Sequence, residues 1–206
     1  MNKKNEDNFR SGFVGIIGAP NAGKSTLLNQ VLGQKISITS KKPQTTRDRI
    51  LGILNSPTSQ IIFIDTPGIH KSTTLLNKRI VAQAMLALED VDVILFMVDA
   101  SSRNYSAEKL ILSQLKKTPK TVILALNKID LVEKAQIYRL VEEFQQLSDF
   151  KAIIPVSAKN NIQVKNILEE VEESLAKGPR LFPEDTFTDV SEKFMVKEII
   201  REKVFR

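Results

Sequence analysis

The sequence predicts an α/β protein: a mostly parallel sheet of six strands with helices on both faces. Three observations predict it. Short apolar runs alternate with amphipathic stretches of helical spacing from residue 13 to residue 176, the pattern of a parallel sheet buried on both sides. Gly18-Ala19-Pro20-Asn21-Ala22-Gly23-Lys24-Ser25 reads G-x-x-x-x-G-K-S between a strand-like and a helix-like run, the context in which this spelling wraps a phosphate. Asp65–Gly68, Asn127–Asp130 and Ser157–Lys159 each follow an apolar run directly, so right-handed crossovers bring these stretches to one sheet edge.

Taken in order, Phe13–Ile17 is the first strand and Thr26–Leu32 the first helix, closed by Gly33 as a C-terminal cap. Residues 33–48 have no periodicity and hold Lys41-Lys42-Pro43 and three threonines, a loop long enough to be functional or mobile. Arg49–Leu54 and Gln60–Asp65 read as strands around the turn Asn55–Thr58, hence as a hairpin. A second loop runs to Leu75. Residues 76–89 then place Ile80, Val81, Ala84, Met85 and Leu88 on one helical side. Strands Val93–Val98, Thr121–Leu126 and Ala152–Pro155 alternate with helices Ser106–Lys116, Glu133–Leu147 and Val164–Ala176. Gly178-Pro179-Arg180 stops the last of these, and residues 183–186 continue as a linker. Asp189 with Glu192 resembles a helix cap, and Phe194, Val196, Ile199, Ile200, Val204 and Phe205 follow at helical spacing. Two units are therefore expected, residues 1–178 and residues 179–206, the second a linker and the first helix of a domain that breaks off.

The chain has 206 residues, 42% hydrophobic and 26% charged, enough material for a buried core. No apolar run approaches the roughly 18 residues of a membrane span. The polar N-terminus is not a signal peptide. With no cysteine, disulfides and thiolate metal sites are excluded, and a cytoplasmic protein is expected. The net charge of +6 lies wholly in residues 34–80, where eight basic residues face two acidic ones. One reading is a solvated basic face offsetting a bound nucleotide; the other is a docking surface for a polyanion. Aromatic interleaving is lacking there, which favours phosphate contacts over base stacking.

The motifs carry a consistent chemistry. Gly18 and Gly23 let backbone N–H groups turn inward as an anion nest, in front of a helix N-terminus. Lys24 would bridge the β- and γ-phosphates, and the Ser25 hydroxyl would hold Mg²⁺. Asp65, ending an apolar strand, is the natural water-mediated partner of that ion. Gly68 would let its N–H approach the γ-phosphate. In Asn127-Lys128-Ile129-Asp130 the carboxylate of Asp130 can accept both edge donors of guanine, whereas adenine offers a lone pair there. Lys128 can lie over the base plane, and Asn127 can tie loops together. Ser157-Ala158-Lys159 completes the pocket, with the Ala158 N–H on the guanine carbonyl oxygen. Thr46, followed by Arg47-Asp48, is preferred as the loop hydroxyl that reaches Mg²⁺ only while the γ-phosphate holds the loop. Thr45 stands as its alternative, and plain loop hydroxyls as the bland reading.

G-A-P-N-A-G-K-S, P-Q-T-T-R, D-T-P-G-I-H, N-K-I-D and S-A-K, in that order, resemble a translation-associated GTPase of the Era family. The tail T-D-V-S-E-K-F-M-V-K-E-I-I-R-E-K-V-F-R resembles the passage from the G domain of that family into its RNA-binding KH domain. The resemblance implies a P-loop NTPase G domain and slow, Mg²⁺-dependent GTP hydrolysis to GDP and phosphate. It implies contact with small-subunit ribosomal RNA during assembly of the small ribosomal subunit and, as in some members, peripheral association with the inner membrane; a monomer is expected. It implies nucleotide contacts from Asn21, Ala22, Gly23, Lys24, Ser25 and Thr26, and an activating K⁺ at Asn21. The expected catalytic groups are Lys24, Thr46 and Gly68; the expected Mg²⁺ ligands are Ser25, Thr46 and Asp65. Two departures stand out. Ala22 replaces the usual valine, and the G-x-x-G loop that clamps nucleotides in KH domains has no match after Gly68, where Gly178 is the only glycine.

Many GTPases place a glutamine after D-x-x-G to orient the attacking water; here Ile69 occupies that place. Slow intrinsic hydrolysis governed by phosphate electrostatics is expected. His70, beside Lys71, reads as a solvated loop histidine rather than a base. The rival readings are a GTP-gated RNA-binding module reset by hydrolysis, and a TrmE-like or EngA-like GTPase.

Overall fold

The computed structural model describes residues 8–36, 50–65, 88–189 and 200. Expectations for Thr45, Thr46, Gly68, Ile69 and His70, for residues 76–87 and for the tail after Asp189 apart from Ile200 lie outside the described residues.

Among the described residues six strands form the sheet: β1 (Arg10–Gly18), β2 (Ile50–Asn55), β3 (Ser59–Asp65), β4 (Val93–Asp99), β5 (Thr121–Asn127) and β6 (Ala152–Pro155), in the order β2-β3-β1-β4-β5-β6. Only β2 runs antiparallel, paired to β3 through the predicted hairpin turn, where Ser56 N–H donates to the Ser59 carbonyl at 2.8 Å. The described helices are α1 (Lys24–Leu32), α2 (Ser106–Leu115), α3 (Lys134–Leu147) and α4 (Val164–Ser174).

Alternation along the strands divides the core into two layers. Val14, Ile16, Leu95 and Ile123 pack with Leu27 and Leu28 of α1 and Ile167 and Val171 of α4. Ile17, Ile64, Phe96 and Leu124 pack on the opposite face with Ile111 and Leu115 of α2 and Leu140 and Phe144 of α3. Each such fully buried side chain contributes about 1.5–3 kcal/mol relative to exposure, which is why both faces must be covered. Strand β1 begins three residues earlier than expected because parallel pairing with β3 extends to Arg10↔Ser59.

The stretch expected as a linker is a strap. Ala176 accepts from Ser11 N–H at 3.3 Å, and Gly178 N–H donates to Phe9 at 3.0 Å. The buried Gln60 amide then holds the next turn. Its Oε1 accepts from Leu181 N–H at 2.7 Å and Phe182 N–H at 2.9 Å, and its Nε2 donates to the Phe182 carbonyl at 2.9 Å. Farther on, Ile53 N–H donates to Phe187 at 2.9 Å, Gly52 bridges Thr188, and Thr188 Oγ1 donates to the Leu51 carbonyl at 2.7 Å. Asp189, expected to cap a helix, accepts from Leu51 N–H at 3.1 Å. The open edge of β2 presents backbone groups that need partners, and residues 187–189 satisfy those of Leu51 and Ile53.

Candidate nucleotide site

Because β1, β3, β4, β5 and β6 are mutually parallel, their carboxyl ends share one edge. At its centre, β1 runs into the loop Gly18–Gly23 and then α1. A Cβ on Gly18 would sit 2.4 Å from the Met97 carbonyl oxygen, so the loop lies directly against β4. Gly23 adopts φ 99°, and a Cβ there would sit 2.1 Å from Asn127 Nδ2. Both contacts forbid a side chain, the physical content of the two motif glycines.

Lys24 is 6% exposed and donates from Nζ to the Gly18 and Ala19 carbonyls, both at 3.0 Å. Burial pulls its pKa from 10.5 down to about 8, against an opposing pull from Asp65. The Ser25 hydroxyl donates to Asp65 Oδ2 at 2.9 Å, and Asp65 is wholly buried at the end of β3. This hydroxyl and carboxylate oxygen, in contact, suit a hard divalent cation. Among the described residues no three His, Cys, Asp or Glu side chains gather into a metal cage. The pair fits an ion completed by phosphate oxygens and water, the usual habit of Mg²⁺. Asn21 is exposed in the loop at φ 62°.

The other half of the edge is tied to the first by Asn127, 3% exposed at the end of β5. Its Nδ2 donates to the Ala22 carbonyl at 2.8 Å, and its Oδ1 accepts from Ala158 N–H at 2.9 Å. One amide thus joins the phosphate loop to the loop after β6. The Ala158 N–H, expected on a guanine carbonyl oxygen, is directed instead at Asn127, since the buried amide oxygen requires a donor. Lys128 follows in the left-handed region (φ 67°) and pairs through Nζ with Asp99 Oδ2 at 2.5 Å. Asp130 lies exposed in the short 3₁₀ turn Ile129–Leu131. Ser157 and Ile162 exchange backbone bonds at 3.1 and 3.0 Å, and Ser157 Oγ accepts from Asn160 N–H at 3.2 Å. This tight loop carries Asn161 and Gln163 at φ 56°. An open pocket of about 480 Å³ runs along α1, lined by Thr26, Asn29, Gln30, Gly33, Gln34, Lys35 and Lys159.

The structure thus brings Asn21–Thr26, Asp65, Asn127, Lys128, Asp130 and Ser157–Lys159 to one edge. The loop after β4 went unread in the sequence. Asp99 ends an apolar strand as Asp65 does, and that same signal marks it.

A family model described as a 50S ribosome-binding GTPase matches residues 13–128. GTPase Era of Geotalea daltonii is 50% identical over 201 residues, spanning 98% of this chain and 68% of that protein. GTPase Era of Geobacter metallireducens is 50% identical over 198 residues, spanning 96% and 66%. An Aquifex aeolicus Era variant bound to GDP·AlF₄⁻ superposes with a TM-score of 0.86 at 39% identity, over 95% of this chain and 67% of that one. The same figures describe Era in complex with MgGDPNP and nucleotides 1506–1542 of 16S ribosomal RNA. The FeoB G domain of Methanococcus jannaschii, 22% identical with a TM-score of 0.56 over 81% of this chain and 98% of that one, shares the fold alone. With a matching family model, half-identical relatives and one site geometry, this chain belongs to the Era family of GTPases.

Proposed function

We propose that the protein is a GTP-binding and GTP-hydrolysing switch that acts in small ribosomal subunit assembly through small-subunit ribosomal RNA. The observation that carries this reading is the Asn127 bridge between Ala22 and Ala158. It holds a phosphate loop and a base-reading edge in one continuous nucleotide-length site. Asp130, exposed beside it, supplies the carboxylate that accepts guanine's two edge donors and leaves adenine unmatched.

In hydrolysis, water attacks the γ-phosphorus of GTP and the bond to the β-phosphate oxygen breaks, releasing phosphate and GDP. Lys24 leaves its two carbonyl partners for the β- and γ-phosphates and stabilises the charge that develops there. Ser25, Asp65 and Thr46 would hold Mg²⁺, which neutralises phosphate charge when bound. Gly68 contributes a backbone donor toward the γ-phosphate. With Ile69 in place of a water-orienting side chain, intrinsic turnover is slow. An activating K⁺ is assigned to Asn21; equal turnover in K⁺ and Na⁺ would remove it.

Residues 179–206 lead into an RNA-binding domain in this reading, and the working unit is a cytoplasmic monomer with peripheral contact to the inner membrane. Among the described residues no helix is long and apolar enough to cross a membrane. The test is twofold. The chain should bind GDP and GTP with Mg²⁺ at least about a hundredfold tighter than ADP and ATP; equal affinities defeat the guanine site. Small subunits should be bound more tightly in the GTP state, with a steep salt slope; binding that ignores nucleotide and salt leaves a GTPase with another target.

A further inference from the structure

We infer that Asp99 is a positioning residue for Lys128, holding the lysine that lies over the guanine base. The inference rests on the reading of Lys128 as that platform. Register places Asp99 opposite Asn127 across the β4–β5 pair, one residue from the lysine it meets. Ser101 fixes one carboxylate oxygen, donating to Oδ1 from its N–H at 2.9 Å and its hydroxyl at 2.6 Å. The other oxygen receives Lys128 Nζ at 2.5 Å. With side chains 29% and 19% exposed, the pair is partly shielded from solvent and salt.

The surrounding loop is braced rather than loose. Ala100 N–H donates to the Asn127 carbonyl at 2.8 Å, and the Ala100 carbonyl accepts from Tyr105 Oη at 3.2 Å and Gln136 Nε2 at 2.8 Å. Asp99 is therefore a fixed anchor. Lys128, its backbone held at φ 67°, is tethered at both ends of its stem, and the flat run of methylenes between is pre-set for a ring. Without the anchor a long flexible ammonium side chain must be ordered at each binding event. Because the stem faces the ring and not the exocyclic amine, the anchor acts on GDP and on IDP, which lacks that amine, by the same factor.

Calorimetric dissociation constants for GDP and IDP, measured with Mg²⁺ on the 206-residue chain, test this. Asp99→Asn should weaken both about tenfold, the size of one hydrogen bond to a charged group. In the Lys128→Ala background the same change should alter neither by more than about twofold, since residues acting through one contact are not additive. Ser101→Ala, which leaves the pair itself in place, should give a smaller loss of the same pattern, and it serves if Asp99→Asn fails to fold. If Lys128→Ala weakens GDP but Asp99→Asn does not, or if the two losses multiply in the double variant, the inference falls and the base-platform reading stands. If Lys128→Ala leaves GDP affinity unchanged, the platform reading falls and takes the inference with it.

Discussion

The two halves of the nucleotide edge are built differently. In the proposed base half, Asn127 sits between Ala22 and Ala158 and Ser157 is closed on Ile162, bonds that join protein to protein. In the proposed phosphate half, Lys24 rests on two loop carbonyls and Ser25 on Asp65, partners that phosphate and cation would replace. One half is braced by its own hydrogen bonds; the other would hold on substitutes the groups that meet the phosphates. In the proposed function, selectivity would belong to the braced half, and response to the γ-phosphate to the half whose bonds would exchange.

The largest effect expected is that of Asn127→Ala. It leaves the buried Ala22 carbonyl and Ala158 N–H without their partner, destabilising the nucleotide-free protein by about 2–4 kcal/mol, together with a loss of GDP binding of about a hundredfold or more. Urea unfolding and calorimetry measure both, and an unchanged unfolding midpoint would break the claim that this half is pre-built.

Lys24→Met should shift the pattern. Nucleotide affinity falls about a hundredfold, while the nucleotide-free protein loses less stability than with Asn127→Ala, because relief from burying a lysine whose pKa is lowered to about 8 offsets the loss of the donor to the Gly18 and Ala19 carbonyls. Destabilisation as large as that of Asn127→Ala would erase the distinction between the halves.

A pH series sharpens the same contrast. With the folded pKa at about 8 and the unfolded value at 10.5, the unfolded chain carries the extra proton between them. The Lys24 contribution to stability therefore rises with pH through that window, its cost being fully present below pH 8 and relieved above the unfolded value. Phosphate binding needs the charged lysine, so GDP affinity should fall as pH rises above 8, by at most about tenfold per pH unit. Parallel rather than opposed slopes would remove Lys24 as the cause.

The smallest effect lies in the base half. Gln163, at φ 56° ahead of α4, adopts a conformation that costs a side-chain-bearing residue about 1–2 kcal/mol. Gln163→Gly should stabilise the protein by about 0.5–1 kcal/mol and leave GDP affinity within about twofold. A marked loss of affinity would show that this strained turn positions the base loop as well as closing it.

The sequence by itself determined the strand–loop–helix of Phe13–Leu32, the hairpin, the alternation beyond Val93 and the order of the motifs. Each of these depends on hydrophobic periodicity, glycine and turn chemistry, or a spacing within one segment. Partnerships at long range were decided only by the fold. Asp99 meets Lys128 because β4 and β5 are parallel and in one register. Ala158 donates to Asn127 because β5 and β6 end together. Gln60 clamps Leu181 across 121 residues, turning an expected linker into the cover of an edge strand. No local pattern marks such pairs, since a buried amide or carboxylate can be satisfied by any donor the packing brings within reach. Which donor that is depends on crossovers and register, and these are settled only when the whole sheet has formed.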